Sequence, residues 1–254
     1  MPTAVSSIAV WSDDPRLRPC AEEIGSRLGL PLGDDAPVLL RVTPERLELV
    51  QTGEGAPGPV WIDLGAVDTR SAGGARRDQP LSRAVGLRQG VRRVVDATAG
   101  LLHDAFLLAS MGCEVVCVER SGVLHEMQRD ALERGASDPA LAAACARMTL
   151  VRADAREWLG GLGAAARPEA VYLDPMHPAR RKSALVKKEM RLLRLLVGED
   201  ADAQELLAAA IGAATRRVVV KRPGHAPALA EGVVGSHKGR AVRYDVYSGR
   251  GGDV

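Results

Sequence analysis

Aromatic residues are scarce in this chain of 254 residues: Phe, Trp and Tyr together make up 3%, with a single Phe. The core cannot rest on ring stacking, so Leu, Val and Ala must fill it. Cysteine is also sparse. The four, Cys20, Cys113, Cys117 and Cys145, form no C-x-x-C pair and have no His at ligand spacing. That pattern argues against a zinc ribbon or a disulfide framework, and no metal is expected. Cys113 and Cys117 flank and enter an apolar strand, where reduced, buried thiols are common. No apolar run approaches the ~18 residues of a membrane span. The N-terminus lacks a basic segment followed by an apolar one, so no signal peptide is expected and the anticipated location is cytoplasmic. Nor is there an excess of charge. A formal net charge of +2 says little about partners, because nucleic-acid binding needs clustered cations rather than a high total. Only five of the 34 basic residues are Lys, a bias that a GC-rich genome accounts for.

What is present is a chain with two textures. Residues 1–88 are rich in Pro, Gly and Asp and carry short apolar runs, Val38 to Val42, Leu47 to Val50 and Val60 to Leu64. These predict a small β-rich N-terminal domain, followed by a Gly- and Arg-rich loop from Thr69 to Pro80. Residues 89–254 are regular. Strands are predicted over Val91 to Val95, Glu114 to Val118, Met148 to Arg152, Ala170 to Leu173, Arg217 to Lys221 and Ala241 to Tyr247. Helices are predicted over Asp104 to Met111, Val123 to Gly135, Ser183 to Val197 and Ala203 to Thr215. The alternation implies an α/β fold, a mostly parallel twisted sheet with helices on both faces. Ligands of such sheets bind outside the carboxyl ends of the strands. Four successive strands end at or just before an acid: Asp96, Glu119, Asp154 and Asp174.

The first strand runs into Asp96-Ala97-Thr98-Ala99-Gly100-Leu101-Leu102-His103-Asp104. Gly100 and its small neighbours allow close backbone approach to a ligand. A pyrophosphate loop wants G-x-G-x-x-G, and a lone glycine argues against NAD. The loop suits S-adenosyl-L-methionine, whose ammonium an acid can pair. Glu119, followed by Arg120, lies 23 residues after Asp96, where an acid can accept from ribose hydroxyls. Asp154, followed by Ala155, is placed to accept from an adenine amine or to cap a helix. Asp174-Pro175-Met176-His177 joins an Asp-Pro pair to a flat ring. The carboxylate and the Pro175 carbonyl can orient an exocyclic amine, and His177 can stack on the base at about 1–3 kcal/mol. A basic run follows, with Arg180, Arg181, Lys182, Lys187, Lys188 and Arg191, and Lys221 and Arg222 close another strand. All eight are candidates for RNA phosphates. The residues alone also fit an amine methyltransferase acting on DNA or protein, or a non-catalytic RNA-binding assembly protein.

With these motifs in view, the chain resembles the bacterial family of 16S ribosomal RNA guanine-N2 methyltransferase J. The likeness spans most of the chain and is clearest in Val95 to Leu101, Asp104 to Phe106, Val171 to Met176, Lys182 to Arg191 and Val218 to Pro223. It implies a class I Rossmann-like methyltransferase that moves a methyl group from S-adenosyl-L-methionine to a guanine N2 in 16S rRNA or the small ribosomal subunit. It also implies cofactor contacts at His103, Asp104, Glu119, Arg120, Asp154, Ala155 and Asp174. This chain has Leu102-His103 where the family usually has Gly-Arg, and His177 where it usually has Phe.

Overall fold

A computed structural model of the chain describes residues 8–69, 79–175, 196 and 202–251. Its contacts divide the chain into two compact units, Met1–Asp63 with Ser121–Arg134 and Pro178–Glu199, and Leu64–Arg120 with Gly135–His177 and Asp200–Val254. The predicted helix Ser183 to Val197 lies outside the described residues save for Leu196, as does most of the Gly- and Arg-rich loop.

The first unit holds a three-stranded sheet in the order β1 (Ile8–Trp11), β2 (Val38–Val42), β3 (Leu47–Gln51). β1 and β2 are parallel and β2 and β3 antiparallel. Parallel neighbours need a crossover, and helix α1 (Arg18–Leu28) lies in that connection. The β-rich expectation misses this helix. Its buried residues are only Ala21, Ile24 and Gly25, too sparse a stripe to stand out from its charged neighbours. The helix stops at Gly29, whose φ of 66° is the left-handed conformation that a side chain disfavours. Val60 to Leu64, expected as a strand, contributes one isolated bridge, Val60 to Leu49.

The second unit is built on a seven-stranded sheet. Its strands are β4 (Arg93–Asp96), β5 (Glu114–Glu119), β6 (Met148–Arg152), β7 (Ala170–Leu173), β8 (Arg217–Pro223), β9 (Val233–Lys238) and β10 (Val242–Ser248). The spatial order is β6-β5-β4-β7-β8-β10-β9. The five strands from β6 to β8 pair in parallel, and β10 and β9 close the sheet antiparallel. Helices α3 (His103–Ser110), α5 (Ala142–Cys145), α6 (Ala155–Gly160) and α7 (Ala203–Ala213) belong to this unit, and α4 (Gly122–Ala136) spans the change of unit. Helix α2 (Pro80–Val85) packs against β8, β9 and β10. Residues from Leu64 onward, α2 included, thus group by contact with this sheet.

Strand alternation divides the core. Val95, Val118, Val171, Leu173, Val218 and Val220 point to one face and pack with Ala155 and Leu159 of α6 and Leu207, Ala210 and Ala213 of α7. Each such buried Val or Leu contributes about 1.5–3 kcal/mol. The intervening residues point to the other face, where the Tyr172 hydroxyl donates to Asp104 of α3. The chain fills the sheet outward from β4 through β5 to β6, then returns to place β7 on the other side of β4. Sheets of this order usually take their ligand where the chain reverses, here at the carboxyl ends of β4 and β7.

Candidate active site

Asp96 closes β4 and is buried at 2% exposure. Its Oδ1 accepts from the Thr98 backbone N–H at 3.0 Å and lies 3.5 Å from the Thr98 hydroxyl. Burial pushes the carboxyl up to about 8; the Thr98 N–H works against this, while Asp104 and Asp174 add to it. Thr98 ties two strand ends together, because its Oγ1 also accepts from the Asp174 backbone N–H at 2.7 Å. Further along the loop, the Gly100 N–H donates to Glu119 Oε2 at 3.1 Å, which anchors the turn to the end of β5. Glu119 is itself buried.

The loop ends in an unusual backbone. Leu102 has φ +62° and is fully buried. A left-handed non-glycine residue costs about 1–2 kcal/mol, which burying the leucyl side chain offsets at about 1.5–3 kcal/mol. His103 begins α3 and is exposed. Asp104 stands in the first turn of α3, where the helix dipole favours an anion.

Asp104 Oδ2 accepts from the Tyr172 hydroxyl at 2.6 Å and from the Lys221 ammonium at 2.7 Å. The same ammonium lies 2.8 Å from Asp174 Oδ2. Leu173 and Val220 are partners in the β7–β8 ladder, so the next residues, Asp174 and Lys221, stand level at the carboxyl edge. Burial alone lowers the Lys221 ammonium, but Asp174 and Asp104 together hold it well above the ordinary lysine range. Burial drives the Tyr172 hydroxyl well above its usual range and the Tyr244 hydroxyl up to about 12, so both are neutral at ordinary pH. The Asp174 side chain is 42% exposed, and Pro175 beside it is buried.

Asp154 caps α6, accepting from the Arg156 N–H at 2.9 Å and pairing with the Arg156 guanidinium at 2.8 Å. The Arg156 side chain, followed by its backbone N–H, holds the Asp154 carboxyl down at about 2 against the effect of burial. Ala155 opens α6 and is buried. Arg156 also reaches Glu205 at 2.6 Å and Asp202 at 3.3 Å, and Arg120 pairs with Asp202 at 2.9 Å.

The structure brings Asp96, Gly100, Asp104, Glu119 and Asp174 into one connected region, with Arg120, Asp154 and Ala155 on the neighbouring strand ends. Lys221 and Arg222 do not stand as free phosphate readers. Lys221 is bound between two carboxylates, and Arg222 is buried with its guanidinium donating to the Pro227 carbonyl at 3.0 and 3.2 Å. Charge at a strand end does not reveal what the cation faces. His177, Arg180, Arg181, Lys182, Lys187, Lys188 and Arg191 lie outside the described residues. Thr98 and Tyr172 carry no charge to single them out in the sequence. Their parts follow from the β4–β7 pairing.

Two carboxylates, Asp104 and Asp174, share one ammonium here, with the protonated Asp96 carboxyl beside them. Such a site suits a ligand that brings positive charge and hydrogen-bond donors, as the sulfonium and ammonium of S-adenosylmethionine do, and opposes a pyrophosphate. Among the described residues no group of His, Cys, Asp and Glu is arranged to hold a metal ion, and no helix is long and apolar enough to cross a membrane.

A family model for SAM-dependent methyltransferases matches residues 23–249. The ribosomal RNA small subunit methyltransferase J of Thioalkalivibrio sulfidiphilus (strain HL-EbGR7) is 49% identical over 249 residues, covering 95% of this chain and 96% of its own. That of Pseudomonas fluorescens (strain SBW25) is 47% identical over 255 residues, with coverage of 96% and 95%. The crystal structure of a SAM-dependent methyltransferase from Neisseria gonorrhoeae superposes with a TM-score of 0.74 at 30% identity, covering 96% of this chain and 97% of that one. S-adenosylmethionine is the cofactor. The chain belongs to the ribosomal RNA small subunit methyltransferase J family of SAM-dependent methyltransferases.

Proposed function

We propose that this chain methylates the exocyclic N2 of a guanosine in the 16S rRNA of the small ribosomal subunit, acting in the cytoplasm. The relatives' names support ribosomal RNA as the substrate class. The observation that carries the chemistry is Asp174, half-exposed at the carboxyl end of β7, with its backbone fixed by Thr98 beside the buried Asp96. S-adenosylmethionine supplies, when bound, a methyl group already activated by a positive sulfur.

The protein's part is then positioning and electrostatics. Asp174 and the Pro175 carbonyl accept the two amine hydrogens, which turns the nitrogen lone pair toward the methyl group, and His177 stacks on the base. Asp96, Gly100, His103 and Asp104 receive the methionine end of the cofactor. Glu119 and Arg120 receive its ribose, and Asp154 and Ala155 its adenine. Asp174→Ala is expected to lower turnover by about a hundredfold, the scale of losing a preorganised hydrogen-bond partner, with little change in RNA affinity. The assay uses small subunits lacking the methyl mark, with naked DNA as the competing substrate. Turnover within threefold of wild type overturns the role of Asp174. Preference for DNA overturns the substrate.

A further inference from the structure

We propose that Lys221 is a positioning residue for the methyl acceptor: its bridge between Asp104 and Asp174 holds Asp174 as an ionised, correctly aimed receiver of the amine. The inference rests on the reading of Asp174 given above.

The geometry is specific. One ammonium lies 2.7 Å from Asp104 Oδ2 and 2.8 Å from Asp174 Oδ2, and the Lys221 side chain is only 23% exposed. Two carboxylates brought this close cannot both stay charged in a partly dry crevice unless a cation lies between them. Among the described residues, the other groups around Lys221 do not supply one. Asp96 at the end of β4 adds a third acid, Asp104 comes from α3, and Tyr172 from β7 carries a neutral hydroxyl bound to Asp104. Tyr244, directly across the ladder on β10, is also neutral.

Charge state decides what Asp174 can do. An ionised carboxylate only accepts hydrogen bonds, which is what an amine with two N–H groups requires. A protonated carboxyl presents an O–H toward those N–H groups and turns the amine away. Lys221 also fixes direction: it engages Asp174 Oδ2, while Thr98 holds the Asp174 backbone. Because the same ammonium holds Asp104, it ties the base-holding acid to the acid proposed for the cofactor's methionine end.

A phosphate-binding lysine and a positioning lysine leave different traces. Loss of a phosphate contact weakens RNA binding and flattens its salt dependence. Loss of a positioning charge lowers kcat and moves its pH profile. The experiment measures kcat from about pH 5 to 8 and equilibrium RNA affinity for Lys221→Met, Lys221→Gln and Lys221→Arg, with folding followed by Tm.

In Lys221→Met and Lys221→Gln, kcat near neutral pH is expected to fall about tenfold or more, and its acid limb to rise by about one pH unit or more. RNA affinity should stay within about twofold. Lys221→Arg keeps the charge and should keep the wild-type limb. Lys221→Gln retains amide donors and a similar stem, so it carries the test if Lys221→Met does not fold. An acid limb that superposes on wild type overturns the proposal, as does a loss confined to RNA affinity. Asp174→Ala separates the two readings. If it is inactive while the limb is unmoved, only the role of Lys221 fails. If it is active, the role of Asp174 fails first.

Discussion

Asp96 stands where a carboxylate is costly, sealed at the end of β4 with two other acids beyond it. Burial raises its carboxyl from 3.8 to about 8. The folded protein therefore holds a proton that the unfolded chain has already released between these values. The folded form binds more protons across that window, so stability is present in full below about pH 4 and is lost as pH rises toward 8. Asp96→Asn keeps an acceptor for the Thr98 N–H and removes the titration. We expect its stability relative to wild type, without cofactor, to climb across the window and to exceed it at pH 8 by on the order of a few kcal/mol. Urea unfolding of both proteins at several pH values is the measurement. A difference that does not change with pH shows that Asp96 is ionised throughout. Acids such as this one were legible in the sequence because each follows an apolar strand run. Lys221 was not, because a cation after Val218-Val219-Val220 reads the same whether it meets solvent or two carboxylates. The difference lies in the β7–β8 register, a pairing across more than forty residues.

At the scale of the element, α6 shows two demands on one side chain. Asp154 caps this short helix and pairs with Arg156, and the proposal also gives it the cofactor's adenine. A lost N-cap costs about 1 kcal/mol, and an exposed ion pair adds little to that. Asp154→Ala should therefore lose about that much stability and also weaken cofactor binding. Asp154→Ser restores a good cap with a shorter side chain, so stability should return while cofactor affinity stays low. Calorimetric titration together with denaturant midpoints distinguishes the outcomes, and recovery of both with Ser leaves Asp154 as a cap alone. The elements themselves were legible to different degrees. β6 and β7 match their predicted bounds, Met148–Arg152 and Ala170–Leu173, because each is a continuous β-favouring run bounded by loop residues. β8 extends to Pro223, two residues beyond expectation, because β10 pairs with it along its whole length. β9 left little trace. It is an edge strand interrupted by Gly235, with Val233 and Val234 exposed, so the alternation that marks a half-buried strand is absent. Helix α2 starts at Pro80, directly behind the Gly- and Arg-rich stretch, and is six residues long, too short for a helical period to declare itself.

For the whole molecule, charge poses a question of supply. A chain with net charge +2 has no general attraction for a polyanion, and the acids of the described carboxyl edge do not attract one. Asp96, Asp104 and Asp174 gather there, and the nearby cations Lys221, Arg120 and Arg156 are engaged by carboxylates. Arg222 is buried. The grip on RNA must then come from cations elsewhere. The densest run in the sequence is Arg180 to Arg194, which follows Asp174-Pro175 by a few residues. On the proposed role of Asp174, this run is the candidate for the phosphates that flank the guanine. Each phosphate contact releases a counterion, so affinity falls with salt by a slope of about 0.7–0.9 per contact. Replacing both Lys187 and Arg191 with Gln is expected to reduce that slope by about one to two units and to weaken binding similarly across RNA sequences. Cofactor affinity should not move, because neither residue belongs to the strand-edge acids. The measurement is RNA affinity against salt concentration for the wild type and the double variant. A slope unchanged by the substitutions assigns this run to ordinary solvated surface and leaves the source of the grip to be sought in the Arg-rich segment around residues 70–83.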